Sequence, residues 1–265
     1  MIYTDHHVHT RFSPDSQADI HAYLKAGKRL GLEFVMFTDH VDFGTTDPEF
    51  MEPIDYRGYF EEMKRLEEAY EIPIQVGVEI GYEKHHKGQI EEFLGQYPFH
   101  FVIASIHYGD GKDFYLGDFF HGKDQRGSYK RYFEILQEMA ENFSAYDVAG
   151  HIDYITRYGP FLNKHYEFTE FEPIIDPILQ ALIHQGKGIE LNTSGLRGKG
   201  GSPFPKPEVL GRYRALGGKI ITVGSDAHFN EHYQAGINEG IGQLKDLGYT
   251  EISSFSKRQE KKLPL

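Results

Sequence analysis

The chain has 265 residues, of which 39% are hydrophobic, and a formal net charge of −12 from 28 basic and 40 acidic residues. The hydrophobic fraction is enough for a sizeable core, so the composition excludes intrinsic disorder and predicts one domain over residues 1–265. The acidic balance disfavours nucleic acids and membrane surfaces as partners, and the absence of cysteine excludes disulfides, thiolate metal sites and a cysteine nucleophile.

Strand-length apolar runs alternate with longer runs of helical period along the chain. The predicted strands are Ile2–His9, Phe34–Asp39, Ile74–Glu79, Phe99–His107, Asp147–Ile152, Gly188–Asn192 and Lys219–Asp226. The predicted helices are Gln17–Leu30, Arg57–Glu71, His86–Gly95, Tyr129–Asn142, Glu170–Gln185, Pro207–Leu216 and Ala235–Leu247. For the first helix, Ser16 is predicted as the N-cap and Gly31 as the glycine that follows the last turn.

Seven consecutive strand–helix units indicate a parallel sheet with right-handed crossovers, in an α/β fold that closes into a complete or distorted barrel. An open doubly wound sheet is the alternative, but no Gly-x-Gly-x-x-Gly and no phosphate-loop motif follows any predicted strand. Residues 253–265, rich in lysine and glutamate, are predicted to form a flexible solvated end.

No apolar run approaches the roughly 18 residues that cross a bilayer. Asp5, His6 and His7 also stand where a signal peptide would carry basic and then apolar residues. We therefore expect a cytoplasmic protein.

Imidazoles and carboxylates end the predicted strands. They occur in Asp5-His6-His7-Val8-His9, Thr38-Asp39-His40, Gly77-Val78-Glu79, Ser105-Ile106-His107, Gly150-His151-Ile152-Asp153, Glu190-Leu191-Asn192 and Gly224-Ser225-Asp226-Ala227-His228. In parallel barrels these ends form the active-site face. His7 and His9, two residues apart on a strand, point to one side and can reach one cation, whereas His6 points away and is interpreted as structural.

A lone histidine at a strand end is usually a hydrogen-bonded core residue. Six of them at successive strand ends, together with Glu79 and Asp226, could be buried together only with compensating charge. The pattern therefore predicts a cluster of divalent cations. Surface or packing roles are expected for the histidines on helices, in loops or at a strand start, namely His21, His85, His86, His100, His121, His165 and His184. The role of His232 is left open.

The motifs Asp5–His9, Thr38–His40, Ser105–His107 and Gly224–His228 resemble those of the polymerase-and-histidinol-phosphatase (PHP) superfamily, in order and in spacing. This resemblance implies a distorted (β/α)7 TIM-like barrel. The stretches Gly150–Gly159 and Glu190–Arg197 are similar to those of the stand-alone histidinol-phosphatases of that superfamily. That likeness implies hydrolysis of L-histidinol phosphate to L-histidinol and inorganic phosphate, in histidine biosynthesis.

The resemblance also implies a trinuclear site for divalent Zn, Fe or Mn. The first ion would be held by His7, His9, Glu79 and Asp226; the second by Glu79, His107 and His151; and the third by Asp15, His40 and His228. Some family members have histidine where this chain has Asp15, and a carboxylate there favours Mn or Fe. The alternative for Asp15 is a cap of the first helix.

The implied mechanism uses a water that bridges two cations as the attacking group, with Asp226 and His228 as the catalytic residues. The resemblance places Arg157 and Arg197 on the substrate phosphate, where a guanidinium binds in a bidentate fork; the alternative is a surface ion pair. The acid that protonates the leaving alkoxide is left open between a metal-bound water and Asp42, and either Asp42 or Asp153 could face the substrate amino group.

Three other functions compete with this one. A PHP phosphoesterase with another substrate, such as phosphotyrosine, a nucleotide or a small phosphodiester, would have the same metal cluster and a different pocket. A non-catalytic member should have lost ligands, and none of the expected positions is lost. An amidohydrolase also has His-x-His on its first strand but lacks the Thr-Asp-His and Ser-x-His motifs. The expected partner is therefore a small phosphate ester, and the oligomeric state is not predicted.

Overall fold

A computed structural model describes residues 3–45, 47–50, 54–198 and 200–265, so Ile2, where the first predicted strand begins, lies outside the described residues. The helices are α1 Ile20–Leu30, α2 Tyr56–Tyr70, α3 Lys87–Gln96, α4 Gln125–Asn142, α5 Ile155–Tyr158, α6 Phe168–His184, α7 Pro207–Ala215 and α8 Ile237–Asp246. The strands are β1 Val35–Phe37, β2 His40–Asp42, β3 Ile74–Val76, β4 Val78–Gly81, β5 Val102–Ser105, β6 Tyr108–Gly109, β7 Lys112–Asp113, β8 Val148–Ala149, β9 Gly188–Asn192, β10 Ile221–Gly224, β11 Glu251–Ser256 and β12 Gln259–Pro264.

The central sheet is parallel, with the strand order β10-β9-β8-β5-β4-β2. A short break separates β1 from β2 and β3 from β4, and β1 pairs with β3 just as β2 pairs with β4. The extended residues 5–9 lie between the two edges of this sheet. On one side the His6 N–H donates to the Val223 carbonyl (3.1 Å), and on the other the Thr38 N–H donates to the Val8 carbonyl (2.8 Å). These contacts complete a ring of seven strand positions and confirm the distorted (β/α)7 barrel.

In the described part of the first predicted strand, residues 3–9, a single bridge between Val8 and Ala227 takes the place of a regular ladder. Side chains satisfy backbone groups that a ladder would otherwise pair. The Asp5 carboxylate accepts the N–H of His7 (3.3 Å) and of Ser225 (2.8 Å). The Val8 N–H donates to the Thr38 hydroxyl at 3.0 Å. The segment is therefore extended and buried, with a mixed hydrogen-bonding pattern.

Helix α1 begins three residues later than predicted and has a different cap. Asp19, not Ser16, is the N-cap, and its carboxylate accepts the N–H of His21. The Ser16 hydroxyl instead donates to the His228 carbonyl at 3.0 Å, which ties the start of the helix to the last barrel strand. Gly31 ends the helix in the left-handed conformation, with φ 68°, as predicted. None of the helices in the described part of the chain is long and apolar enough to span a bilayer.

The prediction of a flexible end over residues 253–265 is wrong. Strands β11 and β12 form an antiparallel hairpin. Phe255 is buried in a cluster with Phe34, Met36 and Phe101, at the amino ends of the barrel strands. The lysine and glutamate side chains that suggested solvation belong mostly to β12, which is the outer strand of the hairpin. Residues 257–258, Lys-Arg, make its turn with positive φ values and offer none of the usual Asn-Gly or Asp-Gly signal.

Candidate metal centre

Glu79, at the carboxyl end of the barrel, is the centre of the histidine cluster. Its oxygen Oε2 lies 3.1 Å from His7 Nε2 and 3.1 Å from His40 Nδ1. Its oxygen Oε1 lies 2.9 Å from His151 Nε2 and 3.4 Å from His107 Nε2. The side chain of Glu79 is 1% exposed. One buried carboxylate therefore contacts imidazoles from four different strand ends, two or more on each oxygen.

Asp226 is the second carboxylate of the cluster and follows β10. Its Oδ1 lies 3.5 Å from His9 Nε2, 3.4 Å from His228 Nδ1 and 3.8 Å from His7 Nε2. The Asp226 backbone has a φ of 53°, in the left-handed region that aspartate tolerates better than most residues. Its N–H donates to the His7 carbonyl at 2.8 Å, so the first and last strand positions are joined at the point where both supply donors.

Asp15 lies at the cavity side of the same cluster. Its Oδ2 is 3.0 Å from His228 Nε2 and 3.7 Å from His40 Nε2, so it faces the imidazoles and does not cap α1. The ring of His9 stacks between those of His228 (4.0 Å) and His40 (4.2 Å). All nine residues predicted as metal ligands thus lie in one cluster.

The unpaired atoms of the cluster fit metal ions. Several buried donors have no hydrogen-bond partner among the described residues, including His7 Nε2, His9 Nε2, His40 Nδ1 and Glu79 Oε2. Two ligands bound at about 2.0–2.1 Å in a tetrahedron lie roughly 3.3 Å apart. The distances of 2.9–3.8 Å around Glu79 and Asp226 bracket that value. The sets of donors that lie within 4.8 Å of one another are His7–His9–Glu79, Glu79–His107–His151, His9–His40–His228 and His40–Asp42–His107.

The charges of the cluster balance only when cations or protons are present. Burial alone would raise the pKa of Glu79, but the imidazoles of His7, His40 and His107 lower it well below its ordinary value. Burial would likewise lower the pKa of His107, but Asp42 and Glu79 raise it well above its ordinary value. Without metal, protons on His7 and His107 therefore offset part of the carboxylate charge. Imidazole and carboxylate donors without thiolates suit Zn, Fe or Mn.

Further side chains orient the donors. Glu190 Oε1 lies 2.6 Å from His7 Nδ1, and Asp42 Oδ1 lies 2.9 Å from His107 Nδ1. Such contacts fix which ring nitrogen faces the metal. The Ser105 hydroxyl donates to Glu79 Oε1 at 2.6 Å. Glu190 was not predicted to have a role in the site, although its position at the end of the sixth predicted strand was the available signal.

A cavity of about 1100 Å³ opens from this cluster, and Arg157 and Arg197 both line it. Arg157 Nη1 donates to the Ser194 hydroxyl at 3.1 Å and lies 3.7 Å from Asp226 Oδ2. Arg197 Nη2 donates to the Asp226 carbonyl at 3.2 Å, while its Nη1 is buried without a partner among the described residues. Two guanidinium groups therefore face the cavity beside the metal donors, which is an arrangement that suits a phosphate.

Segments that were not predicted to be helices or strands, including helix α5, form much of the remaining cavity wall. Helix α5 brings Tyr154 onto the ring of His151, with centroids 4.0 Å apart, and its hydroxyl lies 2.6 Å from that of Tyr158. The Arg157 guanidinium lies over the Tyr154 ring at 5.4 Å. An aromatic wall therefore adjoins both a metal donor and an arginine.

Some of the histidines that were predicted to have structural, surface or packing roles lie away from the cavity, whereas others line it. His6 points away from the cluster, as expected, with Nδ1 3.0 Å from the Thr4 carbonyl. His21 Nδ1 lies 2.8 Å from the Tyr70 hydroxyl, and His86 Nδ1 lies 2.6 Å from Gln89 Oε1. The cavity is also lined by His165 and by His232, whose role the sequence left open.

The fold and the cluster define an α/β-barrel protein with a centre that can hold several metal ions. Residues 5–194 match the PHP domain, and the chain belongs to the PHP family. It is 32% identical over 260 residues to the histidinol-phosphatase of Lactococcus lactis subsp. lactis (strain IL1403), covering 95% of this chain and 94% of that protein. It is 30% identical to a probable histidinol-phosphatase of Clostridium acetobutylicum, covering 96% and 97%.

Solved structures agree with this assignment. The crystal structure of histidinol phosphate phosphatase from Lactococcus lactis, complexed with zinc, L-histidinol and phosphate, superposes with a TM-score of 0.89 at 31% identity, covering 97% of this chain and 98% of that one. A putative histidinol phosphatase of Listeria monocytogenes shares the fold, with a TM-score of 0.76 at 19% identity, over 89% and 99%. The predicted superfamily and barrel are therefore confirmed.

Proposed function

We propose that this protein hydrolyses L-histidinol phosphate to L-histidinol and inorganic phosphate, as a step of histidine biosynthesis. The observation that carries the proposal is that seven of the nine predicted metal donors and two arginines line one cavity, with Arg197 Nη1 unpaired beside the donors. Near full-length similarity to a histidinol-phosphatase supports the choice of substrate among phosphate esters.

We assign the donors to three divalent cations, with Zn, Fe and Mn as the candidates. The first would be held by His7, His9, Glu79 and Asp226; the second by Glu79, His107 and His151; and the third by Asp15, His40 and His228. Glu79 suits a bridging role because its two oxygens contact different imidazoles. Asp15 suits the third set because it lies within 4 Å of both His40 and His228.

When bound, such cations supply an acidified water and neutralise the phosphoryl oxygens. The chain's own residues position the substrate. Arg157 and Arg197 hold the phosphate against the donor cluster and offset the negative charge of the surrounding carboxylates. Glu190 and Asp42 keep His7 and His107 in the tautomer that presents Nε2 to the site.

Asp226 and His228 are the assigned catalytic residues. Asp226 contacts the histidine cluster through Oδ1 and faces Arg157 through Oδ2, so it lies between the histidines and the arginine side chains assigned to the phosphate. The His228 side chain is 21% exposed, and its Nε2 lies 3.0 Å from Asp15 Oδ2, where the third cation would be held. As ligands, the pair would therefore orient the reacting groups.

The remaining assignments extend the same proposal. The chain works as one barrel domain over residues 1–265, on a small phosphate ester and without nucleic acid, in the cytoplasm. Its net charge of −12 and its lack of cysteine support these choices.

Phosphate release by metal-reconstituted protein tests the proposal. L-histidinol phosphate is compared with a phosphotyrosine peptide, AMP and 4-nitrophenyl phosphate, and the expected result is a kcat/KM for L-histidinol phosphate that is several orders of magnitude higher. Comparably slow hydrolysis of all four would overturn the named substrate while leaving a metal-dependent phosphoesterase. A Glu79→Gln preparation serves as the control that the activity belongs to this site.

A further inference from the structure

One carboxylate of the cavity wall contacts neither the metal donors nor the two arginines assigned to the phosphate. The carboxylates that line the cavity are Asp15, Asp42, Asp47, Glu79, Asp113, Asp153 and Asp226. Four of these contact imidazoles of the cluster, namely Asp15, Asp42, Glu79 and Asp226. Asp113 accepts the Leu116 N–H at 2.9 Å, and Asp47 also interacts with another group. Asp153 is the one that remains.

Asp153 is held rigidly by one of its two oxygens. Oδ2 accepts the Tyr166 hydroxyl at 3.1 Å and the Lys206 backbone N–H at 2.9 Å. Oδ1 is buried and has no hydrogen-bond partner among the described residues, and the residue as a whole is 2% exposed. A buried charged acceptor without a donor is strongly disfavoured, so this oxygen needs a donor that the described part of the chain does not supply.

We infer that Asp153 binds a protonated nitrogen of the substrate through Oδ1 and thereby determines specificity. The inference rests on the proposed function, since L-histidinol phosphate carries a primary ammonium and an imidazole beside its phosphate. The donor cluster and the arginines account for the phosphate end, and an acidic partner is required for the other end. A phosphate ester without a cationic group leaves Oδ1 unpaired, which is the situation in which a polar site discriminates most strongly.

The competing explanation is that Asp153 only anchors the loop at Lys206. The substitution Asp153→Asn separates the two roles because it is isosteric. The amide oxygen can still accept from Tyr166 and from Lys206, while the NH2 group replaces the free oxygen with a donor that repels a cation. An anchoring role predicts equal effects on all substrates, whereas a specificity role predicts an effect on cationic substrates alone.

The test measures kcat/KM of wild type and Asp153→Asn for four esters. They are L-histidinol phosphate, O-phosphoethanolamine (ammonium only), 2-(imidazol-4-yl)ethyl phosphate (imidazole only) and 4-nitrophenyl phosphate (neither). We expect a loss of about 30-fold for L-histidinol phosphate and for whichever partial analogue carries the bound nitrogen, and less than about 3-fold for 4-nitrophenyl phosphate. The analogue that loses activity identifies the nitrogen.

Two matched variants complete the experiment. Asp113→Asn makes the same charge change in the same cavity, and Tyr166→Phe removes a donor from Oδ2 only; both should leave the ratio between cationic and neutral substrates unchanged. Metal content and melting temperature are measured for every variant. Equal losses on all four esters, or no loss on L-histidinol phosphate, overturn the inference. A wild type without preference for L-histidinol phosphate overturns the proposed function instead. The ratios of the two partial analogues to 4-nitrophenyl phosphate then still decide the role of Asp153.

Discussion

The ring of His6 accepts a hydrogen bond at Nε2 from the backbone N–H of Phe255, at 3.3 Å. Its other nitrogen, Nδ1, lies 3.0 Å from the Thr4 carbonyl and so carries the proton. The ring is buried edge-on between Phe34 and Phe101. A neutral imidazole therefore joins the first barrel segment to the C-terminal hairpin, at the end of the barrel opposite the metal donors.

This contact predicts acid sensitivity of the hairpin. Burial lowers the pKa of His6 to about 4, against about 6.5 in an unfolded chain. The folded state therefore binds fewer protons than the unfolded state between pH 4 and 6.5. The contribution of neutral His6 to the free energy of unfolding is complete above pH 6.5. It falls by about 3 kcal/mol in all as the pH drops through that window. Hydrogen-exchange protection of the Phe255 amide, corrected for intrinsic rates, should fall in the same window.

The control for this experiment is His6→Gln, which keeps an acceptor near Nε2 but does not titrate. Both proteins are measured without metal, so that protonation of the metal donors contributes equally. The variant should show a smaller pH dependence of protection at Phe255 than the wild type. Identical pH profiles for the two proteins would show that another group controls the hairpin.

Glu79→Gln should remove both metal content and activity. The substitution takes a negative charge from the point where His7, His40, His107 and His151 converge. We expect fewer bound metal ions per chain by elemental analysis and a fall in kcat/KM of roughly 1000-fold, or about 4 kcal/mol. Glu91→Gln, at a surface position, is the matched control and should behave as wild type. Full metal content in Glu79→Gln would contradict the bridging assignment.

Glu190→Gln should weaken metal binding without removing a ligand. Glu190 Oε1 lies 2.6 Å from His7 Nδ1, and Oε2 accepts the N–H of His151 at 3.1 Å. Loss of such a partner typically lowers metal affinity or activity by about 10- to 100-fold. Competition with a chelator measures the affinity, and Glu239→Gln provides a surface control. An unchanged affinity would mean that His7 needs no partner to keep its orientation.

Arg197→Ala should damage substrate binding and leave the metals in place. The side chain supplies a buried, unpaired Nη1 to the cavity and a hydrogen bond to the Asp226 carbonyl. We expect kcat/KM to fall by about 100-fold, because hydrogen bonds to charged groups contribute about 1.5–3 kcal/mol. Arg197→Lys should recover part of the loss, since a point charge replaces the fork. If Arg197→Ala hydrolyses L-histidinol phosphate as wild type does, the phosphate assignment is wrong.

Metal binding at pH 7 should release protons. Burial would lower the pKa of His7, but Glu190, Glu79 and Asp226 raise it well above its ordinary value, and His107 behaves likewise beside Asp42 and Glu79. Both imidazoles must lose a proton before they bind a cation, so metal affinity should rise with pH. Calorimetric titration of metal-free protein in two buffers with different ionisation enthalpies measures the number released. A heat that is the same in both buffers contradicts this prediction.

The barrel could be predicted from the sequence because the alternation of strands and helices can be read from short segments of the chain. Strand-length apolar runs and helical runs alternate with caps and glycines between them, and six of the seven predicted strands and all seven predicted helices overlap observed elements. The ligand cluster was predictable for a related reason. Once the strands are parallel, their carboxyl ends meet, and polar residues at those ends must share one site.

The rest depends on contacts between distant residues. The hairpin at the C-terminus is held by Phe255 against Phe34 and Phe101, and no local pattern of residues 253–265 reveals those partners. The cap of α1 moved from Ser16 to Asp19 because Ser16 donates to His228, 212 positions away. Among the described acidic residues, Glu79 and Asp153 have a buried oxygen without a hydrogen-bond partner, and only that of Asp153 lies away from the imidazoles, which is a property of three-dimensional packing.

The metal donors are spread from residue 7 to residue 228, and the first and last of them share Asp226 as a neighbour. During synthesis on a ribosome, the early histidines leave the exit tunnel long before the carboxylate that completes their set exists. Those histidines can meet metal ions only in incomplete and weak combinations until the last barrel strand has been made. Tight metal loading is therefore tied to the end of translation, and a nascent chain that stalls before residue 226 is released without a working centre.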